Sequence, residues 1–124
     1  MPKLSRESAK VEDYGIVEDR SGEVEGYTIN FTTFRQDIDG APMLKGLPDD
    51  RCQCPHWGYV LKGKLTFPTA EGDEVFVAGD AFYLSPGHGF MAEAGTEYVQ
   101  FSPTKELKET EAVIMKNMQA MQQR

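Results

Sequence analysis

The sequence has 124 residues, of which 40% are hydrophobic, and its 13 basic and 20 acidic side chains give a formal net charge of −7. This length suffices for one domain around one hydrophobic core. Because the chain is acidic and has no basic block, nucleic acids and anionic membrane surfaces are not expected as partners.

Hydropathy and cysteine use predict a soluble, cytoplasmic protein. Residues 1–15 lack the apolar stretch of a secretory signal, and no run approaches the roughly 20 apolar residues of a membrane span. The cytoplasm keeps thiols reduced. On an extended strand, Cys52 and Cys54 would have Cα atoms roughly 6.5–7 Å apart, at the limit for a disulfide, so we expect free thiols.

The first half of the chain predicts a frayed terminus, one strand and one long connection. Residues 1–10 show no periodic pattern and are expected to be frayed. Residues 26–34 (GYTINFTTF) alternate apolar and polar side chains, which is the period of a β-strand. Residues 37–51 contain several prolines and glycines and are expected to form a connection across the mouth of a barrel.

The second half predicts a series of short strands. WGYVLKG and KLTFPT meet at Lys62-Gly63, which predicts a tight hairpin. Four further runs follow turn signals: EVFVA, AFYLS, FMAEA and EYVQFS. Short strands at this spacing predict an all-β sandwich or barrel over residues 24–103, within a single domain that spans residues 1–124.

The end of the chain predicts an amphipathic helix over residues 103–121. Ser102 before Pro103 is typical of a helix start, with a capping hydroxyl followed by a residue that lacks the N–H group. Apolar residues then recur at helical spacing: Leu107, Ile114, Met118 and Met121. We interpret this stripe as packing rather than as a metal site.

Two glycine-bearing motifs between residues 50 and 103 resemble those of the cupins, the small double-stranded β-helix or jelly-roll family. The first motif of that family, G-x5-H-x-H-x3-4-E-x6-G, is matched at its closing glycine by Gly63 within YVLKGKL. The second, G-x5-P-x-G-x2-H-x3-N, is matched by Gly79 and Gly87 within GDAFYLSPGHG. The resemblance implies a cupin jelly-roll barrel, here followed by a C-terminal helix.

The metal-binding positions of the family are not matched. His56 occupies the position of the glutamate, and Asp50 and Cys52 occupy those of the two histidines. Phe90 stands at the histidine position of the second motif, with His88 two residues earlier. The usual set of three histidines and one glutamate therefore does not apply to this sequence.

A different ligand set is available. If residues 52–60 are extended, Cys52, Cys54 and His56 share one face, and the resemblance implies that this face points into the barrel toward His88. Thiolates and imidazoles favour Zn²⁺, ahead of iron or copper. One ion cannot easily reach residues spread over roughly 13 Å of strand, so a triple of His56, His88 and one cysteine is the simpler set. The alternative is a core in which these residues only pack and form hydrogen bonds.

The remaining candidate positions concern the pocket and the outer face. Tyr83, Tyr98 and Phe90 are candidates for lining a ligand pocket. Trp57, Tyr59 and Leu61 should leave the barrel, and a large apolar outer face needs a covering layer. The resemblance favours a homodimer formed by sheet packing, and the alternative is that the terminal helix covers this face.

Two functions follow from these observations. One is a metal-dependent enzyme that acts on a small organic molecule in the barrel, with His56, His88 and a cysteine as ligands. The other is a ligand-binding or sensory cupin without chemistry, which holds a structural metal or none. A cysteine nucleophile beside His56 is less well supported because the barrel interior is narrow. Neither GHG nor SGEVEG has the strand–loop–helix context of a phosphate site, so no nucleotide cofactor is expected.

Overall fold

The structure, a computed structural model, describes residues 3–122 and consists of short strands followed by one long helix. The strands are β1 (Lys10–Asp13), β2 (Val17–Val24), β3 (Tyr27–Phe34), β4 (Ile38–Asp39), β5 (His56–Lys62), β6 (Lys64–Thr69), β7 (Gly72–Val77), β8 (Ala81–Leu84), β9 (Met91–Ala92) and β10 (Glu97–Pro103). The helix α1 spans Thr104–Gln122, and 3-10 helices at Ala41–Leu44 and Pro48–Asp50 lie between β4 and β5. The prediction of an all-β fold with a C-terminal helix is confirmed.

The strands form two antiparallel sheets that enclose the main core. One sheet has the order β1-β2-β3-β10-β5-β8, and the other has the order β4-β9-β6-β7. Side chains from both sheets meet in one buried cluster: Phe34, Val60, Phe82 and Leu84 from the first sheet, and Leu65, Phe67 and Ala92 from the second. The two sheets therefore face each other across a shared interior.

The turn at Lys62-Gly63 carries the chain from one sheet to the other. The prediction of a hairpin here is wrong, because β5 pairs with β10 and β8 while β6 pairs with β7 and β9. Gly63 has a φ of 85°, and a Cβ at this position would lie 2.5 Å from the hydroxyl oxygen of Thr96. Because that hydroxyl also accepts a hydrogen bond from the Lys64 N–H at 3.1 Å, Thr96 fills the space between the sheets where the chain crosses.

The alternation of β3 is inverted relative to an ordinary half-buried strand. The polar residues Asn30 and Thr32 are buried in the interior, whereas Tyr27 is 46% exposed on the outer side. Ile29 and Phe31 also alternate outward and are half-buried. An ordinary strand buries its apolar side chains and exposes its polar ones. This inversion indicates a polar wall inside and an apolar surface outside.

The sheet begins nearer the N terminus than the predicted range 24–103. β1 and β2 extend the six-stranded sheet along the whole length of β3, with Val17 opposite Phe34 and Val24 opposite Tyr27. Their mostly polar sequences do not alternate in the usual sense, which is why they gave no strand signal.

Residues 3–10 are packed on the domain rather than frayed. Leu4 contacts Gly22, and the Arg6 Nη1 donates to the Glu97 Oε1 at 3.1 Å. Ala9 is buried. Residues 1 and 2, which were included in the same prediction, lie outside the described residues.

The connection over residues 37–51 and the helix α1 close one side of the barrel together. Leu44 of the connection and Leu107 of α1 are buried in the same cluster. The Asn117 Nδ2 donates to the main-chain oxygens of Met43 at 2.7 Å and Lys45 at 2.9 Å, which ties the two segments together. Across the described residues, no helix combines the length and apolar character that crossing a bilayer requires.

Candidate functional site

A bend in the chain brings Cys52 close to His56 and His88. The strand β5 begins only at His56, and Cys52 instead forms an isolated antiparallel bridge with His88. In this bridge the Cys52 N–H donates to the His88 main-chain oxygen at 2.8 Å. Because the segment before His56 is not extended, Cys52 and His56 are not separated by the roughly 13 Å that four residues of strand would impose.

The three side chains converge on one point in the interior. The Cys52 Sγ lies 3.5 Å from the His56 Nε2, and the rings of His56 and His88 have centroids 5.1 Å apart with an interplanar angle of 66°. One ligand atom from each residue lies within 4.8 Å of the other two. All three residues are 5% exposed or less. We call these residues the Cys-His cluster.

Hydrogen bonds fix the orientation of both imidazole rings. The His88 Nδ1 lies 2.8 Å from the Ser85 main-chain oxygen, which can only accept, so Nδ1 carries the proton and Nε2 has a free lone pair. The His56 Nδ1 lies 2.7 Å from the Ser102 Oγ. With its proton on Nδ1, His56 likewise directs a lone pair on Nε2 toward Cys52. Outer hydrogen bonds of this type set the tautomer of metal-binding histidines.

Burial keeps the cluster neutral. Desolvation, together with the neighbouring His88, lowers the pKa of His56 to about 3. Desolvation also lowers the pKa of His88 and raises the pKa of the Cys52 thiol. Neutral imidazoles are the form that binds metals, while the thiol would release its proton when a metal binds.

Cys54 lies outside the Cys-His cluster. Its side chain is fully buried, and its Sγ contacts the Pro55 main-chain oxygen at 3.4 Å. Burial raises the pKa of this thiol to about 12. The expectation that both cysteines share one face assumed an extended segment, and the bend before His56 removes that condition.

A cavity of about 330 Å³ adjoins the cluster, between the six-stranded sheet and α1. Cys52, His56 and His88 contribute to its wall, as do the predicted pocket residues Tyr98 and Phe90. This volume lies within the range of small-molecule sites in proteins.

Tyr83, the third predicted pocket residue, lies on the outer face of the barrel. It is 50% exposed and contacts Trp57, with ring centroids 5.0 Å apart. The reason is its register, because Tyr83 stands opposite Trp57 in the β8–β5 pair while the neighbouring Phe82 and Leu84 point inward. The alternation of AFYLS contained this information.

Ser102 contributes to the site rather than to the helix. It was predicted to cap α1, but it belongs to β10, is fully buried and contacts His56. The helix begins two residues later, at Thr104. The Ser-Pro signal therefore placed the helix start correctly to within two residues and assigned the hydroxyl to the wrong partner.

Sequence reasoning also missed a polar wall on the opposite side of the cavity. Asp19, Asn30, Thr32 and Glu111 all line the cavity. The Asn30 Nδ2 donates to the two Asp19 carboxylate oxygens at 3.2 and 3.0 Å, and the Thr32 hydroxyl donates to Asp19 at 3.1 Å. The polar positions of GYTINFTTF contained the signal, but their alternation was interpreted only as the period of a strand.

Comparisons with known proteins give the fold. No family model matches the sequence, and no curated protein matches it. Among solved structures, an RmlC-like cupin from Shewanella frigidimarina superposes with a TM-score of 0.57 at 19% identity, over 81% of this chain and 88% of that one. The polyketide cyclase RemF from Streptomyces resistomycificus has a TM-score of 0.59 at 12% identity, over 83% and 79%.

A third solved structure is described as a sugar phosphate isomerase from a cupin superfamily, from Silicibacter pomeroyi. It superposes with a TM-score of 0.56 at 15% identity, over 82% of this chain and 75% of that one. These likenesses confirm the predicted cupin fold. They concern the fold alone, since folds of this kind host unrelated activities.

Proposed function

We propose that this cupin-fold protein binds a divalent metal ion through Cys52, His56 and His88, and a small organic molecule in the adjoining cavity. The observation that carries the proposal is the convergence of three metal-binding side chains, with ligand atoms within 4.8 Å of one another, at the wall of a cavity of about 330 Å³.

The geometry of the donors fits zinc. A tetrahedral ion about 2.3 Å from sulfur and about 2.0–2.1 Å from nitrogen places those two atoms about 3.5 Å apart. The Cys52 Sγ and the His56 Nε2 are 3.5 Å apart. One sulfur and two imidazole nitrogens also match the preferences of zinc, with iron and copper as the next candidates.

Three protein ligands leave one coordination position open, which is typical of reactive rather than structural zinc sites. A metal held there would supply Lewis-acid chemistry to a bound molecule. The chain's own residues hold the imidazoles in place: Ser102 orients His56 and the Ser85 main-chain oxygen orients His88. We therefore favour a metal-dependent enzyme that acts on a small molecule in the cavity.

One observation favours the alternative, a ligand-binding protein without chemistry. Cys52 and His56 already contact each other within hydrogen-bonding distance of sulfur, so the cluster is satisfied as a buried polar group. In that case the cavity would hold its ligand without a metal, or beside a structural one.

Metal analysis of the two cysteine variants tests the proposal. Protein purified without an affinity tag should contain about one zinc per chain, and so should Cys54→Ala, whose thiol lies outside the cluster. Cys52→Ala and His88→Ala should lose it, since two ligands rarely hold zinc. Cobalt substitution should give a thiolate-to-cobalt charge-transfer band in Cys54→Ala that is absent from Cys52→Ala. Metal-free protein that binds neither zinc nor cobalt would overturn the metal site and leave the alternative.

We also propose that a second copy of the chain covers the outer face of the six-stranded sheet. Six apolar or aromatic side chains lie there, each 41–50% exposed: Tyr27, Trp57, Tyr59, Leu61, Tyr83 and Phe101. We call this surface the outer aromatic face. The helix α1 does not cover it, because α1 packs along the cavity on the opposite side of the sheet.

The charge of the protein favours self-association through this face. With a net charge of −7, two copies repel each other in general. The six residues of the outer aromatic face carry no charge, so a two-fold contact through them avoids that repulsion and buries apolar surface on both copies. Because the patch is uncharged, it also offers no electrostatic attraction to a basic protein.

Sedimentation over a range of concentrations tests the dimer. The protein should have twice the mass of one chain at micromolar concentration, and Tyr59→Lys should have the mass of one chain. Val75→Lys is the matched control, because Val75 is an equally exposed apolar residue on the other sheet and should leave the dimer intact. A single-chain mass for the unmodified protein at these concentrations would refute the proposal.

A further inference from the structure

We propose that the small molecule bound in the cavity is an organic amine, whose protonated nitrogen is held by the Asn30 Oδ1 and the carboxylates of Asp19 and Glu111. This inference deepens the proposed function, because it names the chemical class of the ligand for the same cavity. It rests on the polar wall and not on the Cys-His cluster, so the two can be tested apart.

Asn30 offers an acceptor with no partner. The residue is 4% exposed, and its Nδ2 is committed to the two Asp19 oxygens. Its Oδ1 accepts no hydrogen bond, and among the side-chain nitrogen and oxygen atoms of residues 3–121 it is the one buried atom left without a partner. An unsatisfied buried acceptor is unfavourable, and a ligand that donates a hydrogen bond to it would remove that cost. The side chain of Asn30 also contributes to the wall of the cavity.

Carboxylates are concentrated at the same wall by the register of the sheet. Glu12 stands opposite Asp19, Asp19 opposite Thr32, and Thr32 opposite Tyr98, which forms one row across four strands. Glu111 of α1 belongs to the lining of the same cavity.

No cation of the described part of the chain balances these groups at close range. Within residues 3–122, neither Asp19 nor Glu111 has a basic nitrogen within 4.0 Å, and Glu12 has only the exposed Lys10 at 3.9 Å. Burial raises the pKa of Asp19, and Glu12 raises it further. Burial, with Asp19 and Glu12, raises the pKa of Glu111 to about 7, which Lys108 offsets only in part. These shifts are those of carboxylates that lack a positive partner.

An ammonium group matches both features. It supplies three N–H donors and one positive charge, while an alcohol supplies a donor without charge and a carboxylate supplies neither. The walls between the two polar regions are apolar, with Phe34, Phe90 and Ile114 among them. The cavity therefore fits an amine on an apolar body and repels anions.

The position of the polar wall sets the direction of the ligand. Tyr98, in the carboxylate row, and Ser102, beside His56, are four residues apart on β10, or roughly 13 Å. An amine bound at the wall would direct the rest of its body toward the Cys-His cluster. The nitrogen is thus the anchoring group, and the end of the ligand remote from it approaches the cluster.

Three probes that share a phenylethyl group test the preference for an amine: 2-phenylethylamine, 2-phenylethanol and 3-phenylpropanoate. Binding is followed by NMR titration at pH 8, where Glu111 and an alkylammonium are both charged. Protein as purified and protein treated with a chelator are compared. We expect the amine to bind about tenfold more tightly than the alcohol in both forms, and the carboxylate not to bind the chelator-treated protein.

Matched variants locate the effect. Glu111→Gln should weaken amine binding about five- to tenfold and leave alcohol binding unchanged. Glu109→Gln makes the same charge change at an exposed position of the same helix and should leave both unchanged. Asp19→Asn gives a second variant should Glu111→Gln fold poorly, and it should weaken amine binding as well.

The inference is overturned if the amine binds no more tightly than the alcohol, if no amine binding is detected at millimolar concentration, or if Glu111→Gln behaves as Glu109→Gln does. If the protein prefers the amine but binds no metal, only the metal proposal is refuted. If the protein binds zinc but does not prefer the amine to the alcohol, only this inference is refuted.

Discussion

Where β2 and β3 cross the six-stranded sheet, its inner and outer faces have the opposite polarity to that expected of a barrel, whereas β5 and β8 bury apolar side chains in the usual way. Toward the interior, β2 and β3 present Asp19, Asn30 and Thr32, while Tyr27 and Phe101 are exposed on the outer side. Burying polar groups and exposing aromatic ones are both unfavourable unless each is compensated. The proposed ligand would compensate the first and the proposed second copy of the chain the second, so both binding proposals originate in one pattern of alternation.

Strand β5 shows the same division within one stretch of sequence. His56 and Val60 face the interior, and the intervening Trp57 and Tyr59 are each 43% exposed. Gly58 stands between the two inward residues, where a Cβ would collide with the ring of Phe82. Beside β5, the interior is thus filled by core side chains and by the Cys-His cluster. The cavity therefore lies on the side that α1 covers.

The largest difference between the faces should appear in stability. Leu65 is 1% exposed in the core and Leu61 is 50% exposed on the outer aromatic face, on consecutive strands. Leu65→Ala should lower the free energy of unfolding by about 2–5 kcal/mol, because it leaves a cavity between the sheets. Leu61→Ala at low protein concentration should cost less than about 1 kcal/mol. Urea titration of both variants gives the comparison.

The concentration dependence of the same pair sharpens the result. Where a dimer forms, Leu61→Ala should lose stability relative to the unmodified protein, while the cost of Leu65→Ala should stay constant. Equal costs for the two substitutions at low concentration would contradict the assignment of the two faces.

The next largest effect should come from the hydroxyl that orients His56. Ser102→Ala removes the group that lies 2.7 Å from the His56 Nδ1, and such outer hydrogen bonds change metal affinity about 10- to 100-fold. Ser85→Ala is the matched control, because His88 contacts the main-chain oxygen of Ser85 and not its side chain. Competition with a chromogenic zinc chelator measures both. Equal zinc affinity in the two variants would show that Ser102 does not position His56.

The sequence was sufficient to predict the fold but only part of the site. Glycine motifs and short runs indicate a barrel because they depend on local turns and on alternation. The approach of Cys52 to His56 depends on a bend and on a bridge to His88, thirty-six residues away, which no local pattern encodes. The same limit left the choice between Cys52 and Cys54 as a ligand open.

Other parts of the site gave no sequence signal of a cavity wall. The alternation of β3 was used only to predict a strand, and the carboxylate row with Asp19 was missed because β1 and β2 show no apolar alternation. Tyr83 could have been placed correctly from its alternation with Phe82 and Leu84. A barrel that binds a polar ligand inverts the usual pattern, and sequence reasoning assumes that pattern.

A smaller effect is expected at Asp19, which is buried against the cavity without a basic partner. Burial raises its pKa above the ordinary value of 3.8. A carboxyl with a raised folded-state pKa destabilises the fold progressively as pH rises from its unfolded-state pKa through the folded one. Asp19→Asn should therefore raise the melting temperature at pH 7 by a few degrees, about 1 kcal/mol, and should have no such effect near pH 3. A lower melting temperature at pH 7 would mean that the hydrogen bonds from Asn30 and Thr32 outweigh the cost of the charge.

The smallest effect is expected at Asp13, which lies at the exposed rim of the same hairpin. Arg35 donates to both carboxylate oxygens, at 2.6 and 2.9 Å, and together with the Gly15 N–H it lowers the pKa of Asp13 to about 2. The sign is opposite to that of Asp19, since a depressed pKa gives stability that is present above about pH 4 and is lost as pH falls toward 2. Asp13→Asn should slightly lower the melting temperature at pH 7, and this difference should vanish near pH 2. Thermal melts from pH 2 to 7 should thus show the melting temperature of Asp19→Asn rising above that of the unmodified protein as pH rises, and that of Asp13→Asn falling below it. Parallel curves for the two variants would show that position relative to the cavity does not set the sign of the effect.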